Sequence, residues 1–84
     1  MPEIEVGSVN SFFAHPVVAG VTLTAPLKVG DEVRIAGHTT EMTLVVDSMQ
    51  IDNADVEEAS AGDDIGIKVP DRVRRGDRVY KITR

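Results

Sequence analysis

Leu27-Lys28-Val29-Gly30-Asp31-Glu32-Val33-Arg34-Ile35-Ala36-Gly37 decides the fold class of this chain. Val33 and Ile35 alternate with Glu32 and Arg34, the period of two that gives a strand one buried face. Gly30-Asp31 stands just before them. Glycine adopts the positive φ of a tight turn at no steric cost, and an aspartate carboxylate accepts hydrogen bonds from turn amides. The same Gly-Asp-x-Val/Ile signal returns at Gly62-Asp63-Asp64-Ile65 and Gly76-Asp77-Arg78-Val79, each time ahead of an apolar alternation. It reads as strand-entry grammar rather than as acidic metal chelation, which needs a convergent set of oxygen ligands.

Outward from this stretch, Val21 and Leu23 oppose Thr22 and Thr24 in the same way, and nowhere does a 3.6-residue period hold for ten residues. The chain is therefore all-β, with strands expected over 3–13, 17–25, 31–36, 42–51, 56–59, 64–69 and 78–83. Two of these break phase. Ile4 and Val6 share a parity that Val9 does not, around Gly7; Met42, Leu44 and Val46 share one that Met49 and Ile51 do not, around Asp47 and Ser48. Each break predicts a β-bulge, and two bulges predict a strongly coiled, closing sheet. Closure removes exposed edges. The expected architecture is a single small closed antiparallel β-barrel of six or seven strands, occupying residues 1–84 as one domain and showing no internal repeat.

A chain of 84 residues buries about 60% of the surface it exposes when unfolded, and with no cysteine it has neither disulfides nor a thiolate metal site to support that core. No basic segment followed by an apolar stretch opens the sequence, and no 18 apolar residues run together, so a cytoplasmic protein without membrane attachment is expected.

The net charge of −5 is unevenly placed: residues 1–40 carry −2, residues 41–64 carry −8 with no base, and residues 65–84 carry +5. Arg72, Arg74, Arg75, Arg78, Lys81 and Arg84, with Lys68, can hold a phosphate backbone. Phe12, Phe13 and Tyr80 are too few for a base-stacking platform. The simpler reading has the acidic and basic segments pair as neighbouring strands and neutralise each other.

Catalytic constellations are not found. Gly-x-x-x-x-Gly-Lys-Ser/Thr and Gly-x-Gly-x-x-Gly are both missing, and Ser8, Ser11, Ser48 and Ser60 lie in no nucleophile elbow. His15 and His38 fit no metal-ligand spacing. Asp63 and Asp64 are adjacent, so on a strand they point to opposite faces and cannot act as a pair. We expect no enzyme, no cofactor and no metal. The Phe12-Phe13 pair is informative for the same geometric reason: one ring must leave the core, so Phe12, Phe13 and Val17 are candidate protein contacts.

Read together, Val6-Gly7-Ser8-Val9, Ala19-Gly20-Val21-Thr22-Leu23, the 27–37 stretch, Ser48-Met49-Gln50-Ile51, Val56-Glu57-Glu58-Ala59, Ala61-Gly62-Asp63-Asp64-Ile65-Gly66-Ile67 and Arg75-Gly76-Asp77-Arg78-Val79-Tyr80 resemble, in order, the β-barrel domain II of EF-Tu-type translational GTPases. The likeness is nearest to stand-alone elongation factor-like barrels and to this domain of the selenocysteine-specific factor. It implies a non-catalytic translation module that contacts RNA or the ribosome and binds no GTP itself. Asp64 and Asp52 stand near the positions of an Asn and a His with which EF-Tu holds the aminoacyl end of tRNA, so the implied relation is shared architecture with a changed surface. A second, weaker resemblance is to the small barrel at the C-terminus of collagenase-type peptidases. It implies a protein-interaction barrel docking a partner enzyme, such as such a peptidase or a GTPase domain.

Overall fold

Val6 and Val9 both point into the core, at 1% and 2% exposure, although their parities differ. The computed structural model, which describes residues 2–14 and 17–83, shows how. Strand β1 (Glu3–Ala14) is flanked by β2 (Val17–Leu23) and by β10 (Arg78–Ile82). Against β10 its register runs Glu5↔Tyr80 and then Gly7↔Val79, so Val6 is the extra residue of the bulge expected at Gly7. Against β2 a second slip, from Val9↔Val21 to Ser11↔Gly20, makes Asn10 the extra residue and turns both Asn10 and Ser11 outward.

The remaining strands are β3 (Leu27–Lys28), β4 (Glu32–Ala36), β5 (Glu41–Val45), β6 (Met49–Ile51), β7 (Ala54–Val56), β8 (Glu58–Ala59) and β9 (Asp64–Lys68). Eight of them form an antiparallel sheet in the order β5-β4-β10-β1-β2-β9-β6-β7, and β3 and β8 form a separate ribbon. Among the described residues the ladders do not close on themselves: β5 and β7 are edges, which corrects the closed barrel. The cause lies at Asp47-Ser48, where the expected bulge is instead a change of partner. The chain leaves β4 after Val45 and resumes at Met49 beside β9 and β7, on the far side of the sheet. The single strand expected over 42–51 is thus two, and the one over 56–59 is likewise divided between β7 and β8.

The three Gly-Asp signals fold into one device used three times. Gly30, Gly62 and Gly76 have φ of 98°, 93° and 94°, at the third position of a four-residue turn, where a type II turn needs a positive value. In each turn the Asp amide donates to the first residue's carbonyl, and the Asp carboxylate accepts from that residue's amide: Asp31 with Lys28, Asp63 with Ser60, Asp77 with Arg74. The Gly amide then donates to the carbonyl of a buried residue whose own amide donates to the Asp carbonyl. Val46, Leu23 and Val9 are held in this way. The sequence shows no repeat, but these turns repeat as structure, and each pins an apolar side chain at 2% exposure or less. With Val33, Ile35 and Val79 these residues join the one buried cluster of the described chain.

Candidate functional site

Among the described residues, part of the basic stretch is engaged in contacts within the chain. Strand β10 lies between β4 and β1, whereas β6 and β7, with most of the acidic segment, lie beyond β9. Arg78 and Lys81 are consequently paired with acids of the N-terminal half: Arg78 Nη1 is 3.1 Å from Glu5 Oε2, and Lys81 Nζ is 3.9 Å from Asp31 Oδ2. The expected neutralisation between consecutive segments is corrected to pairing with Glu5 of β1 and with Asp31 of the turn before β4, because β10 lies between β1 and β4. Arg75 Nε donates to the Asn10 carbonyl at 3.1 Å, and the Arg72 guanidinium stands 5.8 Å from the Phe12 ring centre. Arg74 is exposed and uses its backbone amide to complete its turn. Arg84 and His15 lie outside the described residues, and His38 is an exposed residue of the β4–β5 connection.

A well-connected charge is one that the sequence did not single out. Arg34, on β4, reaches across β10 to Glu3 of β1 in a two-point contact, Nε to Oε2 at 2.6 Å and Nη2 to Oε1 at 2.8 Å. Its Nη1 donates to Glu41 of β5 at 3.0 Å, and it lies 5.0 Å from the centre of the Tyr80 ring on the intervening strand. Hydrogen bonding from Arg34 holds the Glu3 carboxyl below its ordinary range, and hydrogen bonding to Glu3 raises the Arg34 pKa. This network ties four strands together on the solvent side and presents no open chemistry.

Phe12 and Phe13 divide as their adjacency requires. Phe12 packs on the core, while Phe13 is 57% exposed at the end of β1, opposite Val18 and beside Val17, which is 38% exposed. Phe13 also walls an open groove of about 530 Å³ on the outer face of β1, β2, β9 and β6. The floor of the groove is a row of residues in register across four strands: Ser11 opposite Gly20, Gly20 opposite Gly66, Gly66 opposite Gln50. To one side stand Phe13 and Val18; to the other a hydrogen-bonded chain joins Ser11 to Asn10, Asn10 to Thr22, and Thr22 to Asp64 at 2.8–2.9 Å. Asp52 and Asn53, with φ of 52° and 65° in the two-residue turn between β6 and β7, close the far end. Reading by composition missed this groove, because its members come from distant parts of the chain. The one available signal was Gly66, a glycine inside an otherwise regular strand. Among the described residues no group of three or more His, Cys, Asp or Glu side chains is placed to hold a metal ion.

No family model matches the chain. It is 46% identical over 79 residues, or 93% of its length, to an uncharacterized protease of Methanocaldococcus jannaschii. The match covers 19% of that protein, so the chain spans about a fifth of its relative. Two crystal structures of the C-terminal domain of a Geobacillus thermoleovorans protein assigned as a U32 peptidase share the fold. One has a TM-score of 0.88 at 18% identity, covering 95% of this chain and 93% of that one; the other has a TM-score of 0.87 at 19% identity, covering 92% and 98%. These findings overturn the resemblance to EF-Tu domain II and the translation role drawn from it. The Gly-Asp motifs that carried that resemblance are features of architecture; the chain is similar in sequence to a minor part of one protein named as a protease, and in fold to the C-terminal domain of another named as a U32 peptidase.

Proposed function

We propose that this chain is a non-catalytic docking module for a peptidase, folding as one domain and meeting the enzyme through the exposed end of the β1–β2 pair. The observation that carries this reading is the extent of the match: nearly the whole chain corresponds to about a fifth of a protease. A large exposed aromatic at a strand end, beside further exposed apolar surface, is the kind of anchor around which protein contacts form. Phe13, at 57% exposure, and Val17 supply it.

The test uses the purified chain and the M. jannaschii protease from which the matching segment has been deleted. Calorimetric titration is expected to show a saturable complex, and Phe13→Ser is expected to weaken it by about 1–3 kcal/mol, the range of a truncated interface anchor. Hydrolysis of a peptide library by the chain alone, or no association up to millimolar concentration, would overturn the reading.

A further inference from the structure

Gly66 has no local reason to be glycine. Its φ lies outside the left-handed region, and a Cβ built on it comes no closer to another atom than 3.4 Å, at Val18 Cγ1. A glycine in the interior of a strand weakens it, and where conformation does not demand one it marks close approach of a ligand or another backbone. Gly66 sits at the centre of the groove floor and leaves the backbone of β9 bare over the middle of the trough, whereas over neighbouring Gly20 of β2 the Ser11 hydroxyl and the Asn10 amide oxygen already fill the space a Cβ would need.

The trough has a length, a polarity and a charge. It crosses four strands, which at about 4.8 Å per strand spacing makes roughly 14 Å, or about four extended residues. One wall is apolar, Phe13 and Val18; the other carries Asp64, whose Oδ1 accepts from Thr22, with Asp52 at the closed end. Lys68, in register with Val18, stands past Gly66 in the adjoining depression, on the side away from Asp64, and the Arg75 guanidinium is held by the Asn10 carbonyl at the β1 end. Successive side chains of an extended segment point to opposite sides, so a segment laid in the trough presents alternate residues to the two walls.

Resting on the docking reading above, we propose that this trough receives an extended segment of the partner peptidase in which a Lys or Arg directed at Asp64 and Asp52 alternates with an apolar side chain directed at Phe13 and Val18. The area is far too small for a whole domain face, which buries about 600–1,500 Å² between domains of one chain, and it suits a short projecting segment instead. Gly66 admits the backbone, the acids select the charge, and Phe13 selects the neighbour.

The probes are two capped tetrapeptides, acetyl-Ala-Leu-Arg-Ala-amide and the same peptide with citrulline in place of arginine, which keeps the shape and removes the charge. Amide chemical shifts of the labelled chain are expected to move saturably at Gly20, Asn53, Asp64 and Gly66 with the arginine peptide. The citrulline peptide, and the variants Asp64→Asn and Gly66→Val, are each expected to bind about tenfold more weakly. Thermal unfolding accompanies each variant, and Gly66→Ala replaces Gly66→Val if the larger side chain impairs folding. Equal binding of the two peptides, binding unaffected by filling the floor, or shifts located elsewhere would overturn the proposal. Association with the peptidase is measured in parallel. If it is lost with Phe13→Ser but kept with Asp64→Asn and Gly66→Val, the trough assignment fails and docking stands. If the arginine peptide fills the trough while the peptidase never associates, docking fails.

Discussion

Gly76, in the turn before β10, and Gly66, in the middle of β9, both have room for a methyl group, yet they answer to different demands. At Gly76 nothing lies within 4 Å of a built Cβ, but the backbone has φ of 94°, which side-chain-bearing residues rarely adopt. At Gly66 neither the backbone nor the packing objects. The turn glycines, each joined to an aspartate that closes the turn, are part of what holds the strands in register. Gly66 holds nothing in place and keeps the groove floor bare. Space around a glycine therefore does not show its role. Where a glycine has such room, the φ angle separates a residue that serves the fold from one that is free to serve a contact.

Five experiments press on that contrast. The largest effect is expected where a turn grips the core. Leu23, 1% exposed and bonded through its backbone to Gly62 and Asp63, should cost about 2–5 kcal/mol as Leu23→Ala in denaturant titration. Next comes the turn itself. Gly76→Ala should destabilise by about 1–3 kcal/mol through backbone strain alone. Asp77→Ala should cost about as much, because Asp77 is 4% exposed and its loss strands the Arg74 amide.

Gly66→Ala should do the opposite, leaving the melting temperature unchanged or raising stability by about 0.5–1 kcal/mol. A fall comparable to that of Gly76→Ala would erase the distinction between the two kinds of glycine. The smallest effect concerns neither. Glu3 is held below its ordinary pKa by Arg34, so its contribution is present above the unfolded value, near 4.3, and is lost as the pH falls through the lower folded value. Stability measured from pH 6 downward should decline slightly less steeply in Glu3→Gln than in the parent, and an identical slope would show that the ion pair is solvent-screened to no effect.

Much of this was legible beforehand. The all-β class followed from alternation at Val33 and Ile35 and from the Gly-Asp signals. The bulge near Gly7 followed from the parity of Val6 and Val9, and the division of Phe12 from Phe13 from simple adjacency. The second parity break was legible as an event but not as a kind of event. A bulge and a change of strand partner both shift phase by one, and the difference depends on which strand lies beside Met49. The resemblance to a translation barrel failed for a related reason. Turn glycines, turn aspartates and alternating valines are required by the architecture wherever it occurs, so they identify a fold more readily than a task.

The basic residues show the same limit from the other side. Counting charges along the chain predicted that the acidic and basic segments meet. In the sheet, β10 is inserted between β1 and β4, and its cations find Glu5 and Asp31 instead. Local interactions and side-chain periodicity act within a few residues, and the sequence by itself determined what depends on them: the strand class, the three turn conformations, the first bulge and the exposure of one phenylalanine. Strand order, the open ladder, the Arg34 network and the glycine-floored groove join residues far apart in the chain. Only the tertiary structure decided those, because the same local patterns are compatible with several strand neighbours, and burial of one shared core selects among them.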